Sequence, residues 1–116
     1  MVKSQKDKEY CIIRFQMRYK GEDFTRSGMK QVWLVFQARK TEPNEQTIIR
    51  ESTEIPIPAN VIGTTLVPQN DNPTHVSIHQ NLLQSLQIDG WKLLPQKGGD
   101  WWERRLWREK KPTEYV

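Results

Sequence analysis

His75 and His79 are four residues apart, so on a helix they share one side and could offer a metal two imidazoles. A site needs a third or fourth ligand. Asp71 and Asp89 qualify only by type, and no His-Glu-x-x-His pattern is present. Two solvated or capping histidines are the simpler reading, so no metal and no cofactor are expected. Cys11 is the single cysteine and would need a base and an electropositive setting to act as a nucleophile. Its neighbours are those of a strand, where a small apolar residue is the plainer account. Glu51 and Glu54 fall on opposite faces of an extended segment and cannot share a substrate there. Neither a Gly-x-Ser-x-Gly elbow nor a phosphate-cradling loop occurs, and Gly98-Gly99 reads as a turn because a strand follows it. No catalytic residue is expected, although residues distant in sequence remain free to meet in space.

Charge and aromatic content are more informative. The 116 residues carry 18 Lys and Arg against 14 Asp and Glu, for a net +4. Seven basic and three acidic residues lie between Lys92 and Lys111, so that segment accounts for the whole excess. It sits beside four of the five tryptophans, Trp91, Trp101, Trp102 and Trp107. Arginine interleaved with aromatics suits three uses. It stacks bases and neutralises phosphates in single-stranded nucleic acid. It anchors protein interfaces. It also packs indoles in a core beneath arginine stems. The residues concerned are Trp101, Trp102, Arg104, Arg105, Trp107 and Arg108.

The elements that position these residues follow from periodicity. Cys11, Ile13, Phe15, Met17 and Tyr19 alternate with Arg14, Gln16 and Arg18, the mark of a strand with one buried face. Residues 20–28 read as a loop, and residues 30–40 as a second strand that is apolar on both faces at 32–36. Residues 41–45 form a turn, and a weaker third strand covers about 46–55 until Pro56-Ile57-Pro58 stops it. Residues 59–72 hold an apolar island at 61–67, either a short strand or a packed loop. The one good helix pattern spans about 73–88, with Ile78, Leu82 and Leu86 in a row and Gly90 at its C′ position. Residues 91–94 and 101–108 then read as a hairpin about Gly98-Gly99. Asp100 with Glu103 also mimics a helix start, leaving strand and helix both open for 101–109.

The expected fold is therefore α+β, an antiparallel sheet of about five strands in the order β-β-β-α-β-β with one principal helix on one face. Residues 1–9 read as a flexible start, 10–111 as a single domain and 112–116 as a tail. Trp33 and Val35 oppose Leu34 and Phe36 across the second strand, which suggests a self-association face and a homodimer. No apolar run is long enough to span a membrane, the charged N-terminus is unlike a signal peptide, and one unpaired thiol suits a reducing compartment. A cytoplasmic location is expected.

Residues 79–108 hold a helix with paired leucines running into Gly90-Trp91-Lys92-Leu93-Leu94, then a Gly turn and an aromatic strand ending at Arg108. This resembles a widespread group of small proteins of unknown function, in which such a helix runs into Gly-Trp-Glu-Leu-Val and a final strand ends in Phe-Lys-Arg. The resemblance implies a small α+β sandwich and no particular activity.

The functional expectation is a non-enzymatic binding or assembly module whose contact surface is the Trp- and Arg-rich C-terminal hairpin, with a protein or a second copy as partner. RNA or single-stranded DNA binding is the alternative, and a small-molecule enzyme comes third.

Overall fold

The alternation beginning at Cys11 builds the longest strand of the sheet. A computed structural model describes residues 8–20, 31–57, 67–97 and 99–110. It contains β1 (Lys8–Lys20), β2 (Gln31–Lys40), β3 (Ile48–Glu51), β4 (Ile55–Ile57), α1 (Pro73–Ile88), β5 (Lys92–Lys97) and β6 (Arg104–Glu109). The sheet is antiparallel and six-stranded in the order β3-β2-β1-β6-β5, with β4 also pairing with β2. This is the expected α+β architecture with one helix. The first and last described strands pair near its centre, because β1 lies between β2 and β6.

Pairing sets the faces. Cys11 opposite Leu106, Met17 opposite Leu34 and Phe15 opposite Phe36 put one row of side chains under the helix. Leu82, Leu83 and Leu86 of α1 close that core together with Cys11, Ile13, Leu34, Phe36, Ala38 and Leu106. Each such leucine contributes about 1.5–3 kcal/mol by leaving water. No described helix covers the other face.

The helix ends where its residues dictate. Asn72 caps its start, its Oδ1 accepting from the backbone N–H of Thr74 at 2.9 Å and of His75 at 3.3 Å. Pro73 follows in the first turn, where its missing N–H removes no helix bond. At the far end Gly90 N–H donates to the Gln87 carbonyl and Trp91 N–H to the Leu86 carbonyl, both at 3.0 Å. This paired closure requires a left-handed residue, and Gly90 supplies it with φ of 100°. Trp91, only 1% exposed, is thereby folded into the core at the start of the returning strand.

Three local features differ from expectation. β1 starts at Lys8, two residues earlier than Tyr10, because Lys8 and Glu9 pair with Glu109 and Arg108 of β6. The third strand is two pieces. A bulge sets Ala38 opposite Arg50 but Arg39 opposite Ile48, and the chain leaves the ladder at 52–54 before re-pairing as β4. Pro56 lies inside β4 and does not end it, since an edge strand tolerates proline where its nitrogen points away from the partner. Finally, Trp101 and Trp102 belong to a turn, and the last strand begins only at Arg104. The loop expected at 20–28 and the island at 61–67 lie, apart from Lys20 and Val67, outside the described residues. So do residues 1–7, Gly98 and 111–116.

Candidate binding surface

The hairpin is shaped by its turn. Glu103 Oε1 accepts from the backbone N–H of Gly99 at 2.9 Å and of Asp100 at 3.1 Å, while Glu103 N–H donates to the Asp100 carbonyl at 3.1 Å. The Asp100–Glu103 spacing that mimicked a helix start is a carboxylate capping a turn. The turn folds Trp101 and Trp102 inward. Trp102 is 7% exposed and meets Phe15 edge to face at 5.2 Å, and Trp101 packs on Phe36 at 6.1 Å. Trp101 Nε1 donates to the Pro68 carbonyl at 3.2 Å, tying the hairpin turn to the segment before α1.

Both histidines face this interior. His79 Nε2 donates to the Trp102 carbonyl at 2.9 Å, and its ring lies 5.0 Å from Trp101 and 5.1 Å from Phe36. His75 Nδ1 accepts the Gln69 N–H at 3.0 Å. Burial lowers the pKa of each, against the nearby Asp71 charge for His75. For His79 the Trp102 hydrogen bond opposes burial and the Arg104 charge adds to it. Among the described residues no group of three His, Cys, Asp or Glu is placed to hold a metal. Cys11 is fully buried, and desolvation pushes its thiol up to about 12, the opposite of what a nucleophile needs.

Register divides the arginines of β6 between the two faces. Arg104 and Arg108 share the helix side with Leu106, whereas Arg105 and Trp107 point to the open side with Tyr10 and Ile12. Arg108 stacks on Trp91 with its guanidinium carbon 4.5 Å from the ring and pairs with Glu9 at 2.7 Å and Asp89 at 3.5 Å. Burial tends to raise the Glu9 carboxyl, but the bonds and charges of Arg108 and Lys40 outweigh it and hold the group below its ordinary value. Among the described residues Arg104 reaches the Leu94 carbonyl, at 3.5 Å, and its Nε is buried without a partner there.

The open face has two regions. Over β1, β2 and the β3–β4 edge it is a layer of ion pairs. Arg14 grips Glu45 through two nitrogens at 2.9 and 3.1 Å and also bonds Glu103. Arg18 bonds both Glu54, at 2.9 Å, and Glu51. Glu51 and Glu54, expected on opposite faces, converge because the ladder is broken between them. Gln37 donates to Glu51 at 2.8 Å and accepts from Arg39. Val35 on this face is fully buried and Trp33 half-buried, so the expected self-association pair presents little free surface.

The second region is the β1–β6–β5 end. Tyr10, 43% exposed, stands opposite Trp107, and Lys92 stands opposite Trp107 from the other side. The ammonium of Lys8 lies 4.7 Å from the Trp107 ring centroid and that of Lys92 5.0 Å. Lys8, Lys92 and Arg105 have no carboxylate at ion-pair distance among the described residues, unlike Arg14, Arg18, Lys40, Arg50 and Arg108. Glu109 opposes Lys8 in the register without reaching it. A cleft of about 60 Å³ between Lys8, Glu9, Tyr10, Lys40, Glu42 and Lys110 adjoins this patch and is too small for a drug-sized substrate.

Of the six hairpin residues expected to form one contact site, only Arg105 and Trp107 lie together on the open face. Tyr10, Lys8 and Lys92 complete the patch. No local pattern marks them, because Tyr10 and Lys8 meet Trp107 only through strand pairing at sequence separations of 97 and 99, and Lys92 only across the hairpin. No helix among the described residues is long and apolar enough to cross a membrane. Comparison of the chain with protein-family models, with curated proteins and with solved structures finds no match.

Proposed function

We propose that this protein is a non-enzymatic binding module that holds a macromolecular partner on the open face of the β1–β6–β5 end of its sheet. The observation that supports the reading is the juxtaposition of Tyr10 and Trp107 with three cations that have no carboxylate at ion-pair distance among the described residues. Elsewhere on the described sheet Arg14 and Arg18 of β1 are neutralised by glutamates, and Trp91, Trp101 and Trp102 lie on the helix side. Tyr, Trp and Arg are the side chains that contribute most per residue at contact surfaces. The β4 and β5 edges are poorer candidates, because β4 carries Pro56 and β5 carries Pro95 within a register shift, and proline discourages strand addition.

Affinity capture from a soluble cell extract tests the reading, with retained protein and nucleic acid scored separately. The double variant Lys92→Glu/Arg105→Glu should retain at least about tenfold less of the bound partner than wild type, since removing contact-surface anchors of this kind commonly has that effect. Arg18→Ala, altered in the ion-paired region of the same face, should retain as much as wild type. Equal retention by wild type and the double variant sinks the proposal.

A further inference from the structure

We infer that the ligand of this face is single-stranded nucleic acid, an inference that rests on the binding-module reading above. Two ammonium groups, Lys8 and Lys92, are gathered about one indole, with Arg105 on the same face two residues before Trp107. Glu45 lowers the field at Arg105 only at a distance, and among the described residues none of the three cations has a carboxylate at ion-pair distance. Like charges so gathered repel, and an anion placed among them reduces that repulsion. The complement of the patch is therefore a chain of negative charges.

Two polyanions fit that description, an acidic peptide and a nucleic acid. A peptide gains most of its affinity by seating a side chain in an apolar pocket. The cleft beside Tyr10 is lined instead by lysine and glutamate, with Tyr10 as its one aromatic member. What the patch does offer is two aromatic rings on paired strands, Tyr10 exposed and Trp107 half-buried beneath two mobile-stemmed lysines, a platform for flat groups. A base stacks on such a platform whatever its identity, while its phosphates lie among Lys8, Lys92 and Arg105. The duplex form does not fit, because its bases are already stacked on one another and leave no base face free to lie on a side-chain ring.

The test is fluorescence anisotropy with labelled single-stranded RNA and DNA dodecamers, a DNA duplex of the same sequence, and a poly-glutamate peptide. At about 50 mM salt the single strands should bind, and tighter than either other probe. With three cations displacing counterions, log affinity should fall against log salt with a slope of roughly −2. Trp107→Ala should weaken binding roughly 5- to 150-fold, the range for losing one stacked base, and Trp107→Phe should restore most of it. If Trp107→Ala does not fold, the triple variant Lys8→Gln/Lys92→Gln/Arg105→Gln, altered at the surface, should bring the salt slope close to zero. No binding of the single strands, or equal binding of the duplex with no effect of Trp107→Ala, overturns the inference. In that event, poly-glutamate binding that is lost in the triple variant leaves the binding-module reading standing. If every probe treats wild type and variants alike, both readings fall.

Discussion

His79 is the polar residue that most directly joins the helix to the hairpin turn, and its replacement separates two contributions. His79→Phe keeps a ring between Phe36 and Trp101 but removes the donor to the Trp102 carbonyl. That carbonyl also accepts from Arg104 N–H at 2.8 Å, so it is not orphaned, and the loss is that of one ordinary hydrogen bond, about 0.5–1.5 kcal/mol. His79→Ala removes the bond and also opens a space at a position 4% exposed, which adds about 2–4 kcal/mol. The two variants should be ordered wild type, Phe, Ala in urea unfolding followed by tryptophan fluorescence at about pH 7.5.

The same residue gives a pH signature. Burial lowers the folded-state pKa of His79 below its ordinary 6.5, so the unfolded chain binds a proton there that the folded chain refuses. Stability from this group is therefore present above 6.5 and is lost as pH falls from there toward the lower folded value. Between about pH 7.5 and 5.5 the loss is at most about 1.4 kcal/mol. His79→Phe lacks this proton, so its deficit against wild type should shrink to near zero, or reverse, by about pH 5.5. His75 titrates alike in both proteins and cancels from the difference. A deficit that is the same at both pH values, or an alanine variant no worse than phenylalanine, refutes the reasoning.

Three further expectations follow from single residues. Gly90→Ala places a side chain at φ of 100° with nothing within 4 Å to clash, so its effect is purely conformational. It should cost about 1–2 kcal/mol and lower the melting temperature by roughly 5–15 °C, whereas an unchanged melt means the left-handed closure is dispensable. Cys11, buried with its thiol raised to about 12, should react with an alkylating reagent at neutral pH only as fast as the chain unfolds, and rapid labelling of the folded protein contradicts its placement. Glu103→Gln weakens the acceptor of two backbone N–H groups and the Arg14 pair, which should cost about 1–2 kcal/mol and speed hydrogen exchange at Gly99 and Asp100. Unchanged exchange at those two amides would show that the turn does not depend on this carboxylate.

Period and punctuation were enough for the elements. The two-residue alternation from Cys11 to Tyr19, the four-residue spacing of Ile78, Leu82 and Leu86, and the Gly90 stop are each short-range statements about φ, ψ and burial, so local sequence determines them. Within the third strand local reading was insufficient. Whether Pro56 ends a strand depends on whether its nitrogen faces a partner, which is a property of the edge it occupies. The place of Trp101 and Trp102 turned on where the Glu103 carboxylate bonds, since the same spacing serves a helix start and a tight turn.

Composition located the charge and aromatic excess at the C-terminal end, and nothing in the chain alone could say which of those residues share a surface. A strand sends successive side chains to opposite sides, so a basic and aromatic run divides between faces once its partner is known. Pairing of β6 with β1 put Arg108 against Glu9 and Trp91 and brought Tyr10 and Lys8 to Trp107. Sequence by itself determined that this chain forms an antiparallel sheet with one capped helix. Only tertiary structure decided that three of the four C-terminal tryptophans serve the helix side of the sheet and that one, half-buried with two lysines over its ring, lies on the other side.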